Sequence, residues 1–225
     1  MTPALDNPVW ASLTSAHAAF ARRGGEAARY PADVAPFVAT STIEPGAGAD
    51  LRELVALGEQ VLFVGPAPTL NARWKVEPAV PIAQMVCATR LTAVAGPPIV
   101  ALSPAQRADV LDLTARVYPH YFRPRTPELG RYFGIYDGPR LAAMIGERMR
   151  FDGHRELSAI CTDPAYLGRG LAQRLVAMLT NDILDAGEVP FLHVSHQNTR
   201  AKQLYEHLGY RFRADIPLAS ATRLR

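Results

Sequence analysis

Glu156-Leu157-Ser158-Ala159-Ile160-Cys161-Thr162-Asp163-Pro164-Ala165-Tyr166-Leu167-Gly168-Arg169-Gly170-Leu171-Ala172 is the stretch that decides how this chain folds. Its first seven residues mix apolar and small side chains in a run that pairs as a strand. Asp163 and Pro164 end that run, because proline offers no N–H to a ladder and restrains the residue before it. After the turn, Leu171, Leu175, Met178, Leu179 and Ile183 fall on one side of a predicted helix. A strand, a turn of small residues and a helix start together build an anion site. Glycines admit a ligand close to the main chain. The first helical N–H groups have no partner within the helix, and the helix dipole adds to their pull. A diphosphate fits there.

Two familiar diphosphate loops are excluded. A Walker A loop ends in Gly-Lys-Ser or Gly-Lys-Thr, and no lysine occurs in this turn. A dinucleotide fingerprint needs a third glycine, and Gln173 stands in its place.

Composition narrows the class. With 225 residues the chain holds one large domain or two small ones. Its 48% hydrophobic and 20% charged residues are ordinary for a soluble protein. No apolar run reaches the roughly 18 residues of a membrane span, and Met1 to Trp10 lacks the pattern of a signal peptide. A cytoplasmic location without a membrane partner is therefore expected. The net charge of +3 comes from arginines scattered along the chain, which argues against a nucleic-acid partner. Cys87 and Cys161 lie far apart and read as reduced, buried thiols. The six histidines show no ligand spacing, so no metal site is expected.

In chain order, Trp10 to Ala21 is helix-like and Tyr30 to Thr40 extended. Asp50 and Glu53 propose a cap for a short helix, Leu51 to Leu57, stopped by Gly58. Gln60 to Val64, Ala72 to Val76 and Ile82 to Ala88 are strand-like. Residues 1–98 thus form an N-terminal α/β region without a catalytic constellation, faintly echoing the second half as a decayed duplication would. Gly96, Pro97 and Pro98 mark the joint. Ser103 and Pro104 then open a helix with Val110, Leu113, Thr114 and Val117 on its stripe. An aromatic and arginine-rich loop, Tyr118 to Thr126, leads to a helical turn at Pro127 to Gly130. Tyr132 to Tyr136 and Leu141 to Met149 form a hairpin about Asp137-Gly138. After the long helix, which Gly187 stops, Pro190 to Ser195 is a buried strand. Asn198 caps a last helix carrying Ala201, Leu204, Tyr205 and Leu208, and Tyr210 to Ile216 closes as a strand.

Over residues 103–218 this order and its motifs resemble the GNAT N-acetyltransferases, and within them the FR47-like group. The residues that carry the likeness are Glu156-x-Ser158, Cys161-Thr162-x-Pro164, Gly168-x-Gly170, Pro190-Phe191-Leu192, Asn198 and Leu204-Tyr205-Glu206-x-Leu208-Gly209-Tyr210. The family loop reads Gln/Arg-x-x-Gly-x-Gly/Ala; here Gly170 and Ala172 match, and Leu167 departs from the usual Gln or Arg. The resemblance implies an α/β (α+β) GNAT fold, a mixed and mostly antiparallel sheet with helices on both faces, over residues 99–225. It also implies acetyl-CoA (coenzyme A) as acyl donor and a primary amine as acceptor, joined by direct attack through a tetrahedral intermediate. The cofactor residues it implies are Ile160, Cys161 and Thr162 on the strand, Leu167, Gly168, Arg169, Gly170, Leu171 and Ala172 at the loop, and Asn198.

An acceptor ammonium, with a pKa near ~10.4 if lysine-like, must lose a proton before attack. Glu156 is the expected base, with a water chain as the alternative, and Tyr205 the expected acid for the departing thiolate. A backbone N–H of the Ile160–Thr162 strand stabilises the oxyanion. Tyr121, Phe122 and Arg123 line the expected acceptor pocket; arginines at 123 and 125 would favour a small, amino-acid-like acceptor. Each residue also has a plainer reading: Tyr205 as a packed core aromatic, Glu156 as a solvated strand end, Gly168 and Gly170 as an ordinary turn, Asn198 as a helix cap, and Arg123 and Arg125 as surface charges. The expected activity is an acyltransferase acting on a small-molecule amine, and a homodimer is compatible with it. A catalytically silent acyl-CoA sensor is the alternative, and an interaction protein run by the N-terminal half is a third.

Overall fold

The computed structural model describes residues 4–117 and 122–224. In chain order these form α1 (Pro8–Thr14), β1 (Arg22–Gly24), β2 (Ala27–Arg29), β3 (Val38–Thr40), α2 (Pro45–Leu54), β4 (Gln60–Val64), β5 (Trp74–Val86), β6 (Val100–Leu102), α3 (Arg107–Val117), β7 (Tyr132–Asp137), β8 (Arg140–Phe151), β9 (His154–Thr162), α4 (Leu171–Asp185), β10 (Val189–Ser195), α5 (Thr199–Leu208) and β11 (Arg211–Arg223). The chain divides into two compact units, one of Met1–Ala83, Met149–Asp152 and Ala214–Arg225, the other of Gln84–Arg148 and Gly153–Arg213. This division does not follow a single cut at residue 98. Residues 84–98 belong with the C-terminal unit, because Asn181 of α4 bonds both main-chain groups of Leu91 and Arg174 bonds the carbonyls of Val94 and Pro97.

In the first unit, β1, β2 and β3 make a small antiparallel sheet, and β11 pairs antiparallel with β4. Leu51, Val55, Phe63 and Trp74 pack into one core with Ala27, Val38 and Ala219. Arg29, 2% exposed, is neutralised there by Glu59 and also donates to the carbonyls of Tyr30 and Leu54. Helix α2 begins six residues earlier than expected, at Pro45, where proline occupies the first turn. Asp50 lies inside that helix, and its carboxylate accepts from the Glu26 N–H at 2.8 Å. The two strand-like segments at 72–76 and 82–88 are one strand, β5, running through Pro78 and Pro81.

The second unit has strand order β10-β9-β8-β7-β6. Ser103 caps the turn leading into α3 by a full capping box with Gln106, and Val110 and Leu113 pack on Leu141, Met144 and Cys161. Hairpin β7–β8 runs from Tyr132↔Gly146 to Asp137↔Arg140. Strands β9 and β10 run parallel and pair through Val189↔His154, Pro190↔Arg155 and Phe191↔Glu156. β9 continues to Thr162 and β10 to Ser195, so both extend well past that short ladder. Ala159 carries a φ of 49°, a left-handed kink that breaks the in–out alternation of β9. This is a split between strands, and α4 begins at its open end.

Candidate functional site

The split opens on a cavity of about 330 Å³. One wall is β9, through Ile160 and Thr162; another is the turn Tyr166, Leu167, Gly168 and Gly170 with Leu171, Ala172 and Gln173 of α4; a third is Asn198, Arg200, Ala201, Leu204 and Tyr205 at the start of α5. The sequence predicts most of these residues, and the fold brings them onto one surface.

The turn sets left-handed glycines directly before a helix start. Gly168 and Gly170 have φ of 80° and 73°, and a Cβ at either would meet nothing within 4 Å, so the cradle is open. Gly170 is the N-cap of α4 and brings no capping side chain, so the first N–H groups of a 15-residue helix face that space without one. Arg169 does not line the cavity; its guanidinium stacks on the Tyr166 ring at 4.7 Å, with Arg140 at 5.8 Å from the same ring.

On the β9 wall, the Thr162 hydroxyl is buried without a hydrogen-bond partner in the protein. A buried polar group is seldom left so unless a ligand or water meets it. An open glycine cradle and an orphaned hydroxyl on one cavity fit a ligand with a diphosphate and an amide-bearing arm, as coenzyme A has. Across from them Tyr205 is 6% exposed, tilted against Tyr210 at 6.1 Å. Asn198 caps α5 by accepting from the Ala201 N–H at 3.1 Å. Cys161 faces away from the cavity into the core, where burial pushes its thiol up to about 12. It is a residue of β9 whose side chain belongs to the core.

Glu156 is elsewhere. Its carboxylate is fully buried and does not line the cavity. Both oxygens are engaged: Arg148 Nε donates to Oε2 at 2.8 Å and Arg148 Nη2 to Oε1 at 2.5 Å, while His193 Nδ1 lies 2.8 Å from Oε1. Burial alone would raise its pKa, but the Arg148 guanidinium and His193 outweigh burial and hold it at about 2. A carboxylate so stabilised takes protons poorly, so the expected general base is corrected here to a buried ion-pair partner.

The acceptor residues are dispersed. Tyr121 falls outside the described residues. Phe122 packs edge-on against Tyr132 at 6.1 Å and joins the α3 core. Arg123 contributes its main-chain N–H to Thr126, and Arg125 is tied to Glu128. What the sequence reading missed at the cavity includes Tyr166 in the turn and Gln173 and Arg200, polar residues in the first turns of α4 and α5. Among the described residues no cluster could hold a metal ion, and no helix is long and apolar enough to cross a membrane.

Residues 132–216 match the family of FR47-like proteins. A GNAT-family protein from Novosphingobium aromaticivorans is 33% identical to this chain, with a TM-score of 0.89 over 97% of this chain and 98% of its own. This chain belongs to the GNAT acetyltransferase family. The likeness to that GNAT relative therefore takes in the first hundred residues as well as the motif-bearing part. Two further structures share the GNAT fold at lower identity. A GCN5-related N-acetyltransferase from Kribbella flavida has 16% identity and a TM-score of 0.61 over 96% of this chain and 92% of its own. A GCN5-related N-acetyltransferase-like protein from Streptococcus suis has 15% identity and a TM-score of 0.54 over 88% and 80%. Comparison with curated protein sequences returns no match.

Proposed function

We propose that the protein is an N-acyltransferase moving an acetyl group from acetyl-CoA to a primary amine of a small, amino-acid-like acceptor. The observation that carries this reading is the convergence of the uncapped α4 start, the unpartnered Thr162 hydroxyl and Tyr205 on one cavity at the split. Acetyl-CoA supplies an activated acyl thioester when bound. The N–H groups of Gly168, Gly170 and Ala172 hold the pyrophosphate, and Arg200 adds a cation at the cavity wall. The β9 edge, Thr162 and Asn198 hold the pantetheine arm, much as a strand holds a peptide.

In the transfer the acceptor nitrogen bonds the acyl carbon and the carbon–sulfur bond breaks. A main-chain N–H of Ile160 to Thr162 meets the negative charge that develops on the acyl oxygen; the kink at Ala159 turns those groups out of the ladder. The Tyr205 hydroxyl gives its proton to the departing sulfur and is reprotonated from solvent. The acceptor's own proton leaves to water in the cavity, because Glu156 is spoken for by Arg148.

Calorimetric titration with coenzyme A, followed by a thiol-release assay across an amine panel, tests the reading. Micromolar binding and thiol release with at least one amine are expected. Tyr205→Phe should lower kcat by about 10²-fold, the lower range for a general acid, with coenzyme A affinity unchanged. Binding without thiol release would favour the silent sensor, and no binding would overturn both.

A further inference from the structure

Five side chains from five neighbouring strands make one hydrogen-bonded row across the second unit. They are Arg148 on β8, Glu156 on β9, His193 on β10, Gln84 on β5 and Arg213 on β11, in the order of the strands themselves. Beyond the Arg148–Glu156–His193 contacts, Gln84 Nε2 lies 3.0 Å from His193 Nε2, and Arg213 Nη1 donates to Gln84 Oε1 at 2.8 Å. Glu156 is fully buried and the His193 side chain is 3% exposed.

The row has a direction, fixed from its Arg213 end. A guanidinium can only donate, so the Gln84 atom facing it is the oxygen, and the amide nitrogen faces His193. That nitrogen donates, so His193 Nε2 must present its lone pair. The ring proton therefore sits on Nδ1 and is donated to Glu156 Oε1. A second proton on Nε2 would meet the Gln84 NH2 group head-on. Turning Gln84 over would only move that collision to Arg213. The row also crosses the point where β9 and β10 part. Glu156 belongs to the last pair of the β9–β10 ladder, and His193 lies two residues beyond that pair on β10. Their hydrogen bond clasps the two strands at the apex of the split.

We propose that Gln84 and Arg213 are positioning residues which, acting through His193, lock the imidazole as the neutral Nδ1–H tautomer that clasps Glu156 across the apex of the split. Naming the split as the acyl-CoA site rests on the function proposed above; the lock itself does not. The opposite tautomer would turn a lone pair toward the carboxylate and open the clasp. The Phe191 ring packs edge-on against His193 at 5.7 Å.

Ring ¹⁵N spectra of the full chain test the lock near neutral pH. The wild type should show a protonated Nδ1 and an unprotonated Nε2. Gln84→Glu keeps the shape but puts a carboxylate oxygen against Nε2, so the spectrum should become that of an imidazolium. Arg213→Met should give a mixture of tautomers, and Arg213→Lys, which keeps a donor, should restore the wild-type pattern. In the thiol-release assay Gln84→Glu and Arg213→Met should raise KM for acetyl-CoA at least fivefold, with Arg213→Lys near wild type. An Nε2–H ring in the wild type, or an unchanged ring in Gln84→Glu, overturns the lock. Unchanged KM in both variants overturns the positioning role. The expected spectra in a chain that binds no coenzyme A would support the lock and overturn the acyltransferase reading alone.

Discussion

Arg148→Met removes the cation that keeps Glu156 ionised inside the second unit, and its effect on stability can be worked from the structure. Glu156 is held at about 2 against an ordinary 4.5. That gap of about 2.5 units, at ~1.36 kcal/mol per unit, links about 3 kcal/mol of folding stability to its charged form. Breaking a buried pair from one side costs about 3–5 kcal/mol, because the remaining charge is left desolvated. Near neutral pH the variant should therefore lose about 3–5 kcal/mol. The pH dependence carries the sharper signature. In the wild type the folded pKa is depressed, so this stability is present above the unfolded pKa of 4.5 and is lost as pH falls toward 2. In Arg148→Met burial acts with only His193 against it, which moves the folded pKa upward. The penalty then applies near neutral pH and fades in acid, where the carboxyl protonates. The gap between the two proteins should thus be widest near neutrality and narrow below about pH 4.5, the other carboxylates cancelling in the difference. Urea unfolding followed by far-ultraviolet circular dichroism at a series of pH values reads this directly. Adding Glu156→Gln to Arg148→Met should recover part of the loss. A loss under about 1 kcal/mol at neutral pH, in the range of an exposed pair, or one that does not vary with pH, would refute the reasoning.

Gly170→Ala meets no steric obstacle, so its cost is the left-handed backbone alone, about 1 kcal/mol by thermal unfolding. Its methyl group enters the open cradle, and calorimetry should show coenzyme A affinity reduced about tenfold, the equivalent of ~1.4 kcal/mol. Asn198→Ala removes the α5 cap and should cost about 1 kcal/mol in the same thermal assay.

Local chemistry explains which parts of the fold the sequence reveals. Ser103 with Gln106, the Asp137-Gly138 turn, the glycines around Arg169 and the Asn198 cap are each determined by residues within a few positions, and each element begins or turns where they indicate. The first unit is harder to read because its signals are short or contradictory. Strands β1 to β3 have three residues each, rich in arginine and alanine, with no period to detect. Pro78 and Pro81 argue against one strand through 74–86, yet β5 runs through both. Pro45, Gly46 and Gly48 look like loop residues, while in the structure proline opens α2 and the glycines lie within its first turns.

The site divides along the same line. Everything that builds the cradle lies in one continuous stretch or at a helix cap, so motif and spacing expose it. The role of Glu156 depends on Arg148 eight residues away and His193 thirty-seven away, brought together only by the order of strands. Glu156 reads as a base because the residues that engage its carboxylate lie on other strands. Once β8 and β10 flank β9, the same carboxylate becomes an anion fixed between a guanidinium and an imidazole. Under the proposed transfer the proton has to come from a group lining the cavity, and Tyr205, which lines it, is the group proposed for that step.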